Sequence, residues 1–473
     1  MPTARVVRGA KPRLLQSPSL DLSRQCRFRQ CWFRQCWHIA STAVAWLSLL
    51  GVVCLATSAP AQQRREAADR LTVVPSLPLA TFQNSLGVNT HIEYTDGKYA
   101  DADKVLADLD YIGIRNVRDY IPNPAAWLPP GQALRAMQML AAHGIRFDFV
   151  ADGNASLPIA MQQLDALLRA EPGVALAVEG PNEIDNFPVK RDGKPSAPAA
   201  EAFQRALYQA VHTDPLLRGV PVLYMTGAAP VNLDTEPGLA DIANTHPYPH
   251  RGEQPYSWLG RGFPLYFTMP GHYAKQITET GYYTLPASTD PGGVDADSQA
   301  MLILNAYFDA ALEGNGHTYL YQLLDAYADP KQANSDDHYG LFALDGKPKP
   351  IARALHRMAQ VLPPATPSSQ QTVRAFIEGL PATAHTLALT ASDGTVILFF
   401  WNEVPVWDPQ THTAIRQTAV KIHVTLPGSW SASSFSPLDD IFAVPTPLLS
   451  PDADGAYEQS LTPYPVAVIF RKK

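Results

Sequence analysis

Cysteine is missing from the chain beyond Cys54: the four present, Cys26, Cys31, Cys36 and Cys54, all fall in the first 61 of 473 residues. A protein that starts past that segment has no disulfide, no thiol nucleophile and no thiolate metal site, so its core must hold without covalent help. Charge is sparse, at 17% of residues, and leans to one sign, with 44 Asp and Glu against 37 Lys and Arg. That balance argues against nucleic acid or an anionic lipid surface as a partner. No Gly-x-Gly-x-x-Gly follows any strand-like run, so a dinucleotide site has no support. What the chain does have is apolar side chain, 46% of residues, and two or three times the usual domain length. Both exclude a mostly disordered chain and point to a large core.

The N-terminal segment carries basic residues and then an uncharged apolar run from Ile39 to Ala56, ending in Ala59-Pro60-Ala61 with Gln62 following. This is the pattern of an export signal, 1–61, either cleaved or kept as a membrane anchor. Cleavage after Ala61 removes 8 of the 37 basic and 1 of the 44 acidic residues, leaving 29 against 43 and a net charge of −14. A secreted or periplasmic protein is expected, with no membrane contact unless residues 39–56 stay attached.

After a lead-in at 62–84, one pattern repeats: a short apolar strand with a polar end, then a segment with apolar residues at helical spacing. Eight strands are expected, at Leu86 to His91, Gly113 to Tyr120, Ile145 to Asp152, Val174 to Glu183, Val220 to Gly227, Ile242 to Tyr248, Gln276 to Gly281 and Thr318 to Asp325. Between them Val105, Leu106, Leu109 and Ile112 share a helical face closed by Gly113, and Leu134, Met137 and Leu140 another, ending at His143-Gly144. Further helical faces carry Leu164, Leu167 and Leu168, then Leu207 and Val211, then Leu304, Phe308 and Leu312, then Ile351, Leu355 and Met358. The Gly-, Pro- and Tyr-rich stretch from Pro249 to Pro270 reads as an irregular loop. Eight alternations over 85–361 predict an α/β fold, a (β/α)8 TIM barrel; an open doubly wound sheet would alternate in the same way. A linker at 362–370 then leads to short runs rich in Val, Ile, Thr and Phe, read as an all-β sandwich at 371–473.

In such a barrel the reactive groups stand at the carboxyl ends of the strands. Here those ends present Asn89 and His91, Arg118 and Asp119, Asp148 and Asp152, Asn182 and Glu183, His246 and Tyr248, Glu279, and Tyr321, Gln322 and Asp325. Two carboxylates stand out, Glu183 in Val178-Glu179-Gly180-Pro181-Asn182-Glu183 and Glu279 in Ile277-Thr278-Glu279-Thr280-Gly281, at the ends of the fourth and seventh strands. Glycoside hydrolysis needs such a pair, one carboxyl to protonate the leaving oxygen and one to attack the anomeric carbon, about 5 Å apart when configuration is retained. Glu183 would then carry a proton near neutral pH and Glu279 would be ionised.

The placement of Asn182-Glu183 and Glu279 resembles the clan A glycoside hydrolases, nearest in look to family 39 and family 5, over Leu86 to Val361 and with the trailing β-domain. The resemblance implies Glu183 as acid/base and Glu279 as nucleophile. It also implies Asn182 on the sugar 2-hydroxyl, Arg118 holding the nucleophile ionised and Tyr248 donating to it. The clan's usual Trp at the end of strand eight is missing, and Tyr321 in Thr318-Tyr319-Leu320-Tyr321-Gln322 is the candidate sugar platform.

The remaining candidates are softer. His246 and His250 are separated by prolines that preclude one helical face, so His246 reads as a sugar contact or a satisfied hydrogen bond rather than a metal ligand. His91 and Asn89 are substrate contacts or packing groups, Glu179 a structural acid, and Tyr256, Trp258, Tyr266 and Phe267 either sugar-stacking aromatics or loop core. The expected protein is a retaining glycoside hydrolase on a β-linked glycoside or polysaccharide, its partner a carbohydrate, with no metal or organic cofactor. The alternatives are a transglycosylase remodelling surface or exopolysaccharide glycans and a non-catalytic carbohydrate-binding barrel. No signal fixes an oligomeric state.

Overall fold

The computed structural model describes residues 71–124, 129–227, 238–259, 274–288, 292–439 and 447–473, all within one compact unit, Pro60–Lys473. The export signal and the run at 39–56 lie outside the described residues. Among the described residues no helix is long and apolar enough to cross a membrane.

Eight parallel strands close into a barrel in sequence order: Leu86–Asn89, Asn116–Tyr120, Arg146–Val150, Ala175–Glu179, Val222–Leu223, Ile242–Thr245, Ala274–Thr280 and Thr318–Leu320. The eighth pairs back onto the first, Thr318 opposite Leu86. Every expected strand is present, and the open doubly wound alternative is excluded by this closure. The fourth strand is shorter than expected: its ladder ends at Glu179, and residues 180–184 keep only irregular backbone hydrogen bonds to residues 223–226.

The helices bury the faces read from their spacing. Helix Ala102–Ile112 sinks Val105, Leu109 and Ile112, is capped by Asp101 accepting from the Lys104 amide, and ends at Gly113 in the left-handed region that a residue without Cβ adopts freely. Helix Ala296–Leu312 is different: its residues from Ser298 to Ala311 are buried except Met301. A helix buried on every side needs cover on every side. Here the barrel covers one side and the β-domain the other, with Phe308 4.5 Å from Phe399 and Trp401 Nε1 donating to Asp309 Oδ1 at 2.9 Å. Residues 256–259 are helical rather than irregular, and 260–273, with Tyr266 and Phe267, lie outside the described residues.

The C-terminal domain is two facing antiparallel sheets, and both recruit strands from ahead of the barrel. Thr72–Val74 pairs antiparallel with Val373–Glu378, and Ser76–Pro78 lies parallel to Ala384–Thr390. The strands Thr72–Val74 and Ser76–Pro78 of the lead-in are therefore part of the sandwich. One face of the larger sheet, carrying Leu387, Leu389, Ile397, Phe399, Trp401 and Ile469, joins the barrel's own core, while its other face, with Leu398, Phe400 and Val468, closes on the smaller sheet. Alternation along each strand thus serves two cores.

Candidate active site

The carboxyl ends of the strands bring a set of buried polar groups to one end of the barrel. Arg118, on the second strand and 3% exposed, is the hub. Its Nε and Nη2 donate to Glu179 Oε2 and Oε1, both at 2.8 Å. Nη1 donates to Glu279 Oε1 at 2.6 Å and to Asn89 Oδ1 at 3.0 Å, and Nη2 also donates to Asn182 Oδ1 at 2.8 Å. Burial works against the guanidinium charge, but Glu179 and Glu279 outweigh it and hold the group protonated.

Glu279, near the end of the seventh strand, takes a second donor on its other oxygen, the Tyr248 hydroxyl at 2.8 Å. Burial, then the charge of Glu279, push that phenol far above its ordinary range, so it stays a donor. Glu183 reaches the same space from the loop after strand four. Its backbone sits at φ 41°, a left-handed conformation that costs a non-glycine residue about 1–3 kcal/mol. The turn is held on three sides, by Glu183 N donating to Thr226 Oγ1 at 3.0 Å and by Asn186 N and Phe187 N donating to Glu183 O at 2.9 and 2.7 Å. Gly180 permits the approach: a Cβ there would lie 1.7 Å from Gln204 Oε1 and 2.9 Å from the Met225 amide.

A carboxylate oxygen of Glu183, one of Glu279 and a ring nitrogen of His246 all lie within 4.8 Å of one another. The three donor types could in principle take a cation. Arg118 already spends its charge on Glu279, however, and a cation would have to displace or outface it, so the set is better suited to proton transfer than to metal binding.

His246, expected to be a sugar contact or a satisfied hydrogen-bonding group, has a fully buried side chain with both ring nitrogens engaged, Nδ1 with Glu183 Oε1 and Nε2 with Thr278 Oγ1, each at 3.0 Å. The state of Glu183 differs from expectation. Burial pushes its carboxyl up, but hydrogen bonds from His246 and from Asn186 Nδ2, the latter 3.0 Å from Oε2, leave it below the usual glutamate value.

Around the carboxylates stands an aromatic wall. Tyr321 packs edge-on to His91, Tyr248 and Tyr339, with ring centroids 5.5, 6.5 and 5.3 Å away, and His91 stacks on Tyr94 at 4.5 Å. The Tyr321–Gln322 peptide is cis. Burial brings His91 down to about 4, keeping its imidazole neutral, and its Nε2 has no hydrogen-bond partner among the described residues. Asn89 donates to the Thr278 carbonyl at 3.2 Å and so ties strand one to strand seven. Below the hub Asp148 is fully buried with neither oxygen partnered among the described residues, and burial and the Glu179 charge hold it as a neutral acid.

Other strand-end candidates sit elsewhere. Asp325 pairs with Lys349 at 2.9 Å, and Asp119 accepts from Thr90 and the Ile92 amide. Tyr256 packs on His385 of the sandwich and Trp258 on His250. Thr226, Thr278, Asn186 and Tyr339 were not foreseen. Only Asn186 had a local signal, an amide three residues past Glu183 on a tight turn.

No family model matches the chain, and no curated protein matches it in sequence. Among solved structures it resembles a family 39 glycoside hydrolase from the gut symbiont Bacteroides cellulosilyticus, with a TM-score of 0.54 and 14% identity over 84% of this chain and 83% of that one. It is also similar to a glucanosyltransferase from Rhizomucor miehei, an active-site mutant of a β-1,3 enzyme in complex with laminaritriose (TM-score 0.43, 13% identity, 57% of this chain and 96% of that). A family 5 subfamily 18 protein from Bifidobacterium longum subsp. infantis scores 0.41 at 16% identity, covering 60% of this chain and 80% of that one. The fold of this chain, an eight-stranded parallel barrel followed by antiparallel sheets, is that of the clan A glycoside hydrolases.

Proposed function

We propose that the chain is a retaining glycoside hydrolase in which Glu279 attacks the anomeric carbon and Glu183 protonates the leaving oxygen, then deprotonates the incoming water. The observation that carries this is that one oxygen of Glu183 and one of Glu279 lie within 4.8 Å of each other. Retaining enzymes hold the two carboxyl groups about 5–5.5 Å apart, whereas inversion needs about 6.5–9.5 Å to admit a water. The second support is the asymmetry of the pair. Glu279 is fixed by a cation and a phenol, as suits a carboxylate that must stay ionised and aimed, while Glu183 is bonded to a group that can exchange a proton.

Asn182, with its carbonyl held by Arg118, keeps its amide for a sugar hydroxyl, and the Tyr321 ring supplies an apolar face for a pyranose. The substrate proposed is a β-linked glycoside or polysaccharide, met outside the cytoplasm after export through the N-terminal segment.

The test is a screen of the chain from Gln62 against β-linked polysaccharides and aryl glycosides, beside Glu183→Gln and Glu279→Gln, with the product anomer followed by proton NMR. Turnover with retained configuration, abolished by Glu279→Gln, supports the reading. An inverted first product overturns retention, and turnover unaffected by either substitution overturns the site.

A further inference from the structure

Glu183 must bring a proton to the leaving oxygen, yet its surroundings favour the carboxylate, with His246 on one oxygen and Asn186 on the other. The proton has to be kept nearby. This inference rests on the assignment of Glu183 as acid/base.

The hydrogen bonds on the far side of His246 accommodate a protonated Nε2. Thr278 Oγ1 has a single hydrogen and two acceptors in reach, His246 Nε2 at 3.0 Å and the Glu179 carboxylate at 3.5 Å. The same oxygen accepts from Asn244 Nδ2 at 3.3 Å and has a second lone pair that can take a hydrogen from His246 Nε2. With Nε2 protonated, Nδ1 and Glu183 Oε1 can bond across their 3.0 Å only if one proton lies between them. Without it two lone pairs would face each other in a buried contact, beside three carboxylates and the single guanidinium of Arg118.

We propose that His246 is the proton store of the acid/base: in the resting site the shared proton sits on Nδ1, and it crosses to Glu183 Oε1 as the glycosidic bond breaks. The groups facing His246 are Glu183, Glu279 with Oε2 3.8 Å from Nδ1, Glu179 with Oε1 4.0 Å from Nε2, and Arg118 behind them, with Thr278 and Asn244 as the uncharged neighbours. Burial pulls the imidazole down, but the charge of Glu279 and the hydrogen bond to Glu183 outweigh it, against Arg118, and hold His246 above the ordinary histidine value.

The cycle balances with water as the only co-reactant. In the first step a Glu279 oxygen forms a bond to the anomeric carbon while the bond to the leaving oxygen breaks. The proton travels from Nδ1 through Oε1 to that oxygen. Glu279 is now an uncharged ester, so His246 has lost a main support for its charge, and the proton-less contact left between Nδ1 and Glu183 Oε1 raises the proton affinity of the pair, so that Glu183 acts as the base. In the second step the water oxygen bonds to the anomeric carbon and the ester bond breaks. The water's proton passes to Glu183 and, as the Glu279 charge returns, back to Nδ1.

Nitrogen-15 NMR of the histidine-labelled chain tests this without any substrate, the His246 signals being assigned by their loss in His246→Gln. Both ring nitrogens of His246 are expected to be protonated at pH 7, and Glu279→Gln is expected to shift the ring toward the neutral form at the same pH. A neutral ring with bare Nδ1 at pH 7 in the unsubstituted protein overturns the proposal, whatever becomes of the hydrolase reading. The kinetic arm compares leaving groups. His246→Gln should slow alkyl glycosides by about 100-fold, the low end of general-acid contributions. It should leave dinitrophenyl glycosides, which need no protonation, within a few-fold. Equal losses on both, with an unmoved basic limb of the pH profile, would make His246 a purely structural residue. Full turnover in Glu183→Gln and Glu279→Gln would instead defeat the hydrolase assignment while leaving the NMR result to stand alone.

Discussion

Arg118 and Glu179 form a two-pronged ion pair, Nε to Oε2 and Nη2 to Oε1, both at 2.8 Å, with the arginine side chain 4% and the glutamate 0% exposed. The remaining guanidinium hydrogens go to Glu279, Asn89 and Asn182, so every donor of the arginine is used. Glu179 thereby fixes the plane from which Arg118 holds both the proposed nucleophile and the proposed sugar-binding amide.

Breaking this pair from one side should be costly. Glu179→Leu leaves a buried guanidinium short of a counter-charge, and a loss of about 3–5 kcal/mol in unfolding free energy is expected. Urea denaturation measures it. A single-variant cost below about 1 kcal/mol would contradict the assigned role.

Tyr248→Phe removes the one hydroxyl that donates to Glu279 Oε2 and nothing else of the ring. A hydrogen bond to a charged group contributes about 1.5–3 kcal/mol. The expected result is a 10- to 150-fold fall in kcat/KM with the melting temperature nearly unchanged; an unaltered rate would show that the phenol does not serve the nucleophile.

Acid should destabilise the fold through two histidines. Burial holds His91 at about 4 and His317 at about 4, below the 6.5 of the unfolded chain. Between those values the unfolded state binds more protons than the folded one, so stability is full above pH 6.5 and falls as pH drops toward 4. Two such groups give a slope of at most about 2.7 kcal/mol per pH unit. Denaturation midpoints across pH 4–7 should fall with acid, and His317→Gln should flatten the curve; an equal slope in that variant would point to other groups.

The sandwich and barrel should unfold together. They share a core, and Trp401 Nε1 donates to the buried Asp309 carboxyl at 2.9 Å. Burial, then the charge of Glu403, hold Asp309 far above the usual aspartate value. Trp401→Phe leaves that group short of a donor and should cost about 1–3 kcal/mol while keeping a single calorimetric transition. Two separated transitions in the parent protein would refute the shared core.

Much of this was present in the linear chain. Strand-length apolar runs ending in polar residues can bury both faces only in a covered parallel sheet, and eight of them in alternation with amphipathic helices fit a barrel. Gly113 marks its helix end because a left-handed cap favours glycine locally. Glu183 and Glu279 were identifiable because strand ends are places fixed by chain order. Other features depended on residues far apart in sequence. Thr72 meets Ala375, and the lead-in strands join the sandwich through edges that no local pattern encodes. The turn that stops strand four at Glu179 and holds Glu183 at positive φ is closed by Thr226, from the loop after the next strand. His246 is aimed at Glu183 because Thr278, on the neighbouring strand, holds its other nitrogen. Periodicity and strand order are local and cumulative, so sequence determined the barrel and its two carboxylates. Side-chain direction and protonation depend on which distant groups share a buried space, and those only the tertiary structure decided.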